Sequence, residues 1–74
     1  MQLHEVERFL RFSELDFFVT PHKRGGFLVN VSVPDRGDFE TLRTEGGAVR
    51  VFQTLDSVYS LLMGLGVESF EVSK

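Results

Sequence analysis

Two histidines, His4 and His22, are the only imidazoles in a chain of 74 residues that holds no cysteine. General-base or nucleophilic chemistry needs an imidazole within hydrogen-bond reach of a hydroxyl or thiol, and a third group to orient it. His22 stands between Pro21 and the basic pair Lys23-Arg24, which is a turn sequence, and His4 lies on an amphipathic segment. Each is read as a solvated side chain. The lack of cysteine excludes thiolate nucleophiles, disulfides and Cys-ligated zinc or iron–sulfur centres. Asp35 and Asp38 flank Gly37, but the alternating acids and terminal glutamate of a calcium loop are missing, so turn chemistry explains them. Gly25-Gly26 and Gly46-Gly47 lack the Lys-Ser/Thr of a phosphate loop, and Gly64-Leu65-Gly66 closes a helical pattern instead of opening one. No catalytic residue, metal ligand set or cofactor site is assigned, and the chain is expected not to be an enzyme.

Binding is the chemistry left. One constellation is basic: Lys23 and Arg24 at a turn, and Arg43 and Arg50 on facing arms of a second turn, with Phe39 and Phe52 nearby as stacking surfaces. Like charges opposed across a ladder repel, so such a pair suits an anion, a phosphate or a partner's carboxylate. The opposing term is the net charge of −3, since nucleic-acid binding domains are as a rule strongly basic. The other constellation is apolar: Leu28, Phe39 and Phe52 fall on the reverse side of a sheet whose first side already has enough side chains to form a core. These three are the expected partner-binding residues, and Lys23, Arg24, Arg43 and Arg50 are the alternative, anion-binding set.

The elements that position them follow from periodicity. Leu3, Val6, Phe9 and Leu10, with Phe12 as a further candidate, recur at helical spacing and predict a helix over 2–14. Residues 16–21 and 27–33 predict a hairpin about Lys23-Arg24-Gly25-Gly26. In its second arm Phe27, Val29, Val31 and Val33 alternate with Leu28, Asn30 and Ser32, and Pro34 ends the ladder. An odd-length loop sets Phe17, Val19 and Pro21 on the face of Val29 and Val31; an even one sets Phe18, Thr20 and His22 there. The odd loop is favoured because it pairs more apolar surface. Residues 39–45 and 48–52 predict a second hairpin with a two-residue turn at Gly46-Gly47. That register joins Leu42, Val49 and Val51 on one face, and Phe39, Arg43, Arg50 and Phe52 on the other. Thr54 caps a helix over 55–65 with the stripe Leu55, Val58, Tyr59, Leu62 and Leu65. Residues 67–72 make the last strand, with Phe70 and Val72 inward.

The expected fold is therefore α+β in the order αββββαβ: one domain over residues 1–74, built on a mainly antiparallel sheet of four or five strands. A four-strand meander followed by a helix sets strand five beside strand one and antiparallel to it, in the order 5-1-2-3-4. The rival is strand five parallel to strand four by a right-handed crossover. Eight Phe and ten Val exclude disorder for this composition. No apolar run reaches the ~20 residues of a membrane span. With no basic-then-apolar leader and no cysteine, a cytoplasmic setting is expected. Asn30-Val31-Ser32 and Arg36-Gly37-Asp38 match glycosylation and adhesion tripeptides, and the same setting discounts both.

Arg50-Val51-Phe52-Gln53-Thr54-Leu55-Asp56-Ser57, then Leu62-x-x-Leu65-Gly66-Val67 and Phe70-Glu71-Val72, form a longer pattern, preceded by Leu42-Arg43-Thr44-Glu45-Gly46-Gly47. This C-terminal half resembles small accessory, partition-associated proteins of bacterial plasmids and integrative elements. The resemblance implies a bacterial mobile-element setting and carries over no functional residue. The expected function is a non-enzymatic protein-interaction module that binds a protein partner or forms a homodimer and uses no cofactor. The alternatives are a nucleic-acid-binding accessory protein and a steric inhibitor of a host defence complex.

Overall fold

The computed structural model describes residues 1–33 and 37–73. The described residues fold as two helices and a five-stranded, mostly antiparallel sheet, an α+β domain. The elements are α1 (Leu3–Leu10), β1 (Asp16–Pro21), β2 (Phe27–Ser32), β3 (Phe39–Thr41), β4 (Val51–Phe52), α2 (Leu55–Gly64) and β5 (Glu71–Val72). The strand-ending role expected of Pro34, and the turn expected at Asp35-Arg36, lie outside the described residues.

The first hairpin has the odd loop. Phe17 pairs with Val31, Val19 with Val29 and Pro21 with Phe27. The loop between β1 and β2 is closed by His22 N–H donating to Gly26 O at 2.9 Å. Gly25 and Gly26 both adopt positive φ, 99° and 84°, where a side chain is strained.

The second hairpin departs from expectation by one residue. Thr44 N–H donates to Ala48 O at 2.8 Å and Arg43 bridges Val49, so the loop is the three residues Glu45-Gly46-Gly47. Gly47 takes the left-handed position with φ 90°, the usual device of a three-residue connection. A one-residue slip exchanges the faces of everything beyond it. Phe52 consequently points into the core at 8% exposure, and Val51 points away from it. Placing Phe52 on the reverse face, and Val51 with Val49 on the covered face, is therefore corrected.

The hairpin is also an excursion and not a pair of full strands. β3 and β4 both run antiparallel to β2, along the same edge of it. Arg50 N–H donates to Leu42 O at 2.9 Å across the neck of the excursion. This changes the chain's parity. β4 runs parallel to β1, α2 reverses the direction, and β5 emerges alongside β1 and parallel to it, pairing Phe18 with Glu71 and Val19 with Val72. The expected neighbour is correct and the expected antiparallel direction is not. The sheet order is β3-β2-β1-β5, with β4 on the same side of β2 as β3.

A single core holds the two layers together. Val19, Val29, Val31 and Leu42 from the sheet meet Val6 of α1 and Val58 and Leu62 of α2. The α2 stripe is rotated from the expected one: Leu61 and Leu65 complete it, while Leu55 and Tyr59 are exposed. Thr54 caps the helix as expected, its hydroxyl accepting from Ser57 N–H at 3.1 Å. The first helix is shorter than 2–14, and Phe12 beyond its end is 84% exposed. Glu5 Oε1 accepts from Gln2 N–H at 3.0 Å and satisfies a donor at its start.

Candidate functional site

Every buried strand residue that joins the helix-covered core has the same parity along its strand. Both helices therefore cover one side of the sheet. The other side carries Phe18 and Thr20 of β1, Leu28, Asn30 and Ser32 of β2, Phe39 and Thr41 of β3, and Val51 of β4. None of these belongs to the core. Phe39 is 57% exposed, and Phe18, Leu28 and Val51 are half-buried. Leu28 and Phe39 thus stand where the alternation placed them.

The centre of this open side is polar and satisfied. Asn30 is 3% exposed. Its amide nitrogen donates to Thr20 Oγ1 at 3.1 Å and to Phe18 O at 3.3 Å, while its Oδ1 accepts from the Thr41 hydroxyl at 2.8 Å. One side chain thereby ties three strands together. The polar and apolar side chains that surround it are set by the pleat, with no helix crossing above.

Towards β5 the open side becomes acidic. Asp16 lies opposite Ser32, and Glu71 lies beside Phe18 in the parallel register. Both carboxylates are exposed, and with Phe18, Ser32 and Ser69 they line one depression. Among the described residues no strand position on this side holds Lys or Arg.

The basic set is placed elsewhere. Lys23 and Arg24 are exposed at the tip of the first hairpin, where His22 Nδ1 accepts from Arg24 N–H at 3.3 Å. Arg43 and Arg50 do come together, as expected, but in an edge groove beside the start of α1, with His4, Glu7 and Glu45. Arg43 Nη1 donates to Gly47 O at 2.8 Å. The Arg50 guanidinium carbon is 5.8 Å from the centre of the Phe52 ring. The expectation that both arginines share the reverse face with Phe39 and Phe52 is corrected: the three-residue loop turns Arg50 and Phe52 over, and Arg43 lies in the groove beside α1.

Among the described residues no group of three or more His, Asp or Glu side chains is arranged to hold a metal ion. No helix of the described residues is long and apolar enough to cross a membrane. Comparison with protein-family models, with curated proteins and with solved structures finds no match to this chain.

Sequence reasoning missed Val51 and the pair Asp16 and Glu71, and it did not name Phe18 among the partner-binding residues although the favoured odd loop puts it on this side. The signal for Phe18 was present in the odd loop, since Phe17 with Val19 faces Val29. The signal for Glu71 was not local: its place beside Phe18 depends on the direction in which β5 returns.

Proposed function

We propose that this chain is a non-enzymatic protein-interaction module that docks through the open side of its sheet. The observation that supports it most is the one-sided packing. α1 and α2 share one face, and Phe18, Leu28, Phe39 and Val51 remain on the other, where no helix or strand of the described residues lies over them. Here two apolar pairs, Phe18 with Phe39 and Leu28 with Val51, flank the polar Asn30 cluster, and exposed apolar surface of this kind is a usual mark of an interaction site. The two histidines fit that reading, because His22 is engaged in a turn and His4 is exposed on α1. The likeness of the C-terminal half to accessory proteins of plasmids and integrative elements supports a regulatory or accessory role in the bacterial cytoplasm. Steric inhibition of a host complex would use the same surface. Binding to a second copy is the homodimeric form of the proposal.

The test is site-specific photo-crosslinking in the producing cell. A benzophenone side chain at Phe39 is expected to give a discrete adduct, and one at Tyr59, exposed on α2, is expected to give none. Equal yields from both positions, or none from Phe39, would contradict docking through this face.

The nucleic-acid reading keeps one supporting observation, the shared groove of Arg43 and Arg50. Glu7 and Glu45 line that groove as well, and the net charge is −3. Random DNA is therefore expected not to bind at low salt. Binding that is lost in Arg43→Ala/Arg50→Ala would reinstate this reading.

A further inference from the structure

Resting on that reading, we infer that the open face takes a basic, amphipathic segment of another protein. The segment's apolar side chains settle on Leu28, Val51 and Phe39, and a lysine or arginine head enters the depression at Phe18, between Asp16 and Glu71.

The charge distribution selects the occupant. The face is polarised along the strands: Leu28 and Val51 are paired at one end, and Asp16 and Ser32 at the other. Asp16 and Glu71 approach Phe18 from two elements, one from the same strand and one from the neighbouring parallel strand. The Phe39 ring sits edge-to-face against Phe18 with centroids 5.0 Å apart. A guanidinium or ammonium is attracted to the face of an aromatic ring and forms charge-assisted hydrogen bonds with carboxylates. Ring and carboxylates thus favour the same sign of charge at one spot. Nucleic acid and anionic lipid surfaces are repelled by it.

A second copy is a poorer fit. A two-fold contact is self-complementary, so each copy would bring its own Asp16 and Glu71, and among the described residues no strand position of this face holds a Lys or Arg to meet them. Carboxylates that lose water without a counter-charge oppose the contact. The area agrees. β1 and β2 are six residues each in a sheet four strands across. At ~3.3 Å per residue and ~4.8 Å between strands, the face measures roughly 400 Å². That is about half of the ~800 Å² per partner of a stable interface between globular proteins. One helix about 20 Å long, lying along the strands, matches the face in length and, at about 10 Å across, covers about half of its width.

The experiment is an amide NMR titration of the full chain with two amphipathic helical peptides of about five turns. One is built of Leu and Lys, and the other has Glu at every Lys position. The Leu/Lys peptide is expected to shift amides of Phe18, Ser32, Phe39 and Glu71 and to leave those of α2 unmoved; the Leu/Glu peptide is expected to shift none. Asp16→Asn/Glu71→Gln, at two exposed positions, should weaken the Leu/Lys peptide about tenfold. Equal binding of both peptides, or a double variant that binds as well as the parent, overturns the basic partner and leaves the docking face standing. A dimer in light scattering that Phe39→Asp converts to monomer assigns the face to a second copy, with the same consequence. Failure of the Leu/Lys peptide to touch the face also overturns this inference; the docking reading itself stands or falls by the crosslink at Phe39.

Discussion

The rings of Phe18 and Phe39 meet edge-to-face with centroids 5.0 Å apart and an angle of 74° between their planes, although β2 separates the strands that carry them. Strands two places apart in a sheet are about 10 Å apart. Both rings must therefore lean inward over β2, between Asn30 and Ser32. The aromatic pair lies beside a polar row that no helix of the described residues covers, and Asn30 in that row is buried. The open side of this sheet is thus an organised surface and not merely an unfinished one.

The face assignment separates two phenylalanines that composition treats alike. Phe52→Asp places a charge in the core and should remove stability comparable with that of the whole domain, about 0.05–0.15 kcal/mol per residue. Phe39→Asp should keep the fold and lose only the edge-to-face contact, about 0.5–1.5 kcal/mol. Circular dichroism and urea unfolding of the two variants check this. A folded Phe52→Asp would contradict the register of β4.

Asn30 is expected to behave as the clasp of three strands. Asn30→Ala leaves the Phe18 carbonyl and the hydroxyls of Thr20 and Thr41 without their partner, at a cost of about 1–3 kcal/mol. Thr41→Val should cost less, about 1 kcal/mol. Because the two share one bond, the double variant should be less destabilised than the sum of the single variants. Additive urea midpoints would show that the 2.8 Å contact contributes nothing.

The adjacent glycines of the first loop should respond differently to alanine. Both have positive φ, so each substitution carries about 1–2 kcal/mol of backbone strain. A Cβ on Gly25 meets nothing within 4 Å, whereas one on Gly26 falls 2.7 Å from Phe52 O and 2.9 Å from Val51 Cγ1. Gly26→Ala should therefore be the more destabilising by at least about 1 kcal/mol, from overpacking against β4. Equal losses in thermal melts would mean that β4 does not press on this loop.

These variants also mark where the sequence was legible. The first hairpin could be read because Phe27, Val29, Val31 and Val33 alternate, and only one loop parity matches Phe17 and Val19 to them. The α2 cap could be read because a Thr54 hydroxyl has one obvious donor to serve. The Gly46-Gly47 step suits a two-residue or a three-residue loop equally well, and nothing local decides between them. That single ambiguity exchanged Val51 with Phe52, and the return of β4 to the edge of β2, which no local residue signals, set the direction of β5. Leu28 and Phe39 were found because each depends only on its own strand. Glu71 beside Phe18 depends on residues more than fifty positions apart and follows only from the completed topology.

Methyl NMR of the free chain with a soluble paramagnetic probe tests the open face most directly. The Leu28 and Val51 methyls are expected to broaden strongly, while those of Val19, Val29 and Leu62 stay protected between sheet and helices. Leu28 and Val51 methyls as protected as Val29 would mean that this side of the sheet is already covered, and docking through it would be contradicted.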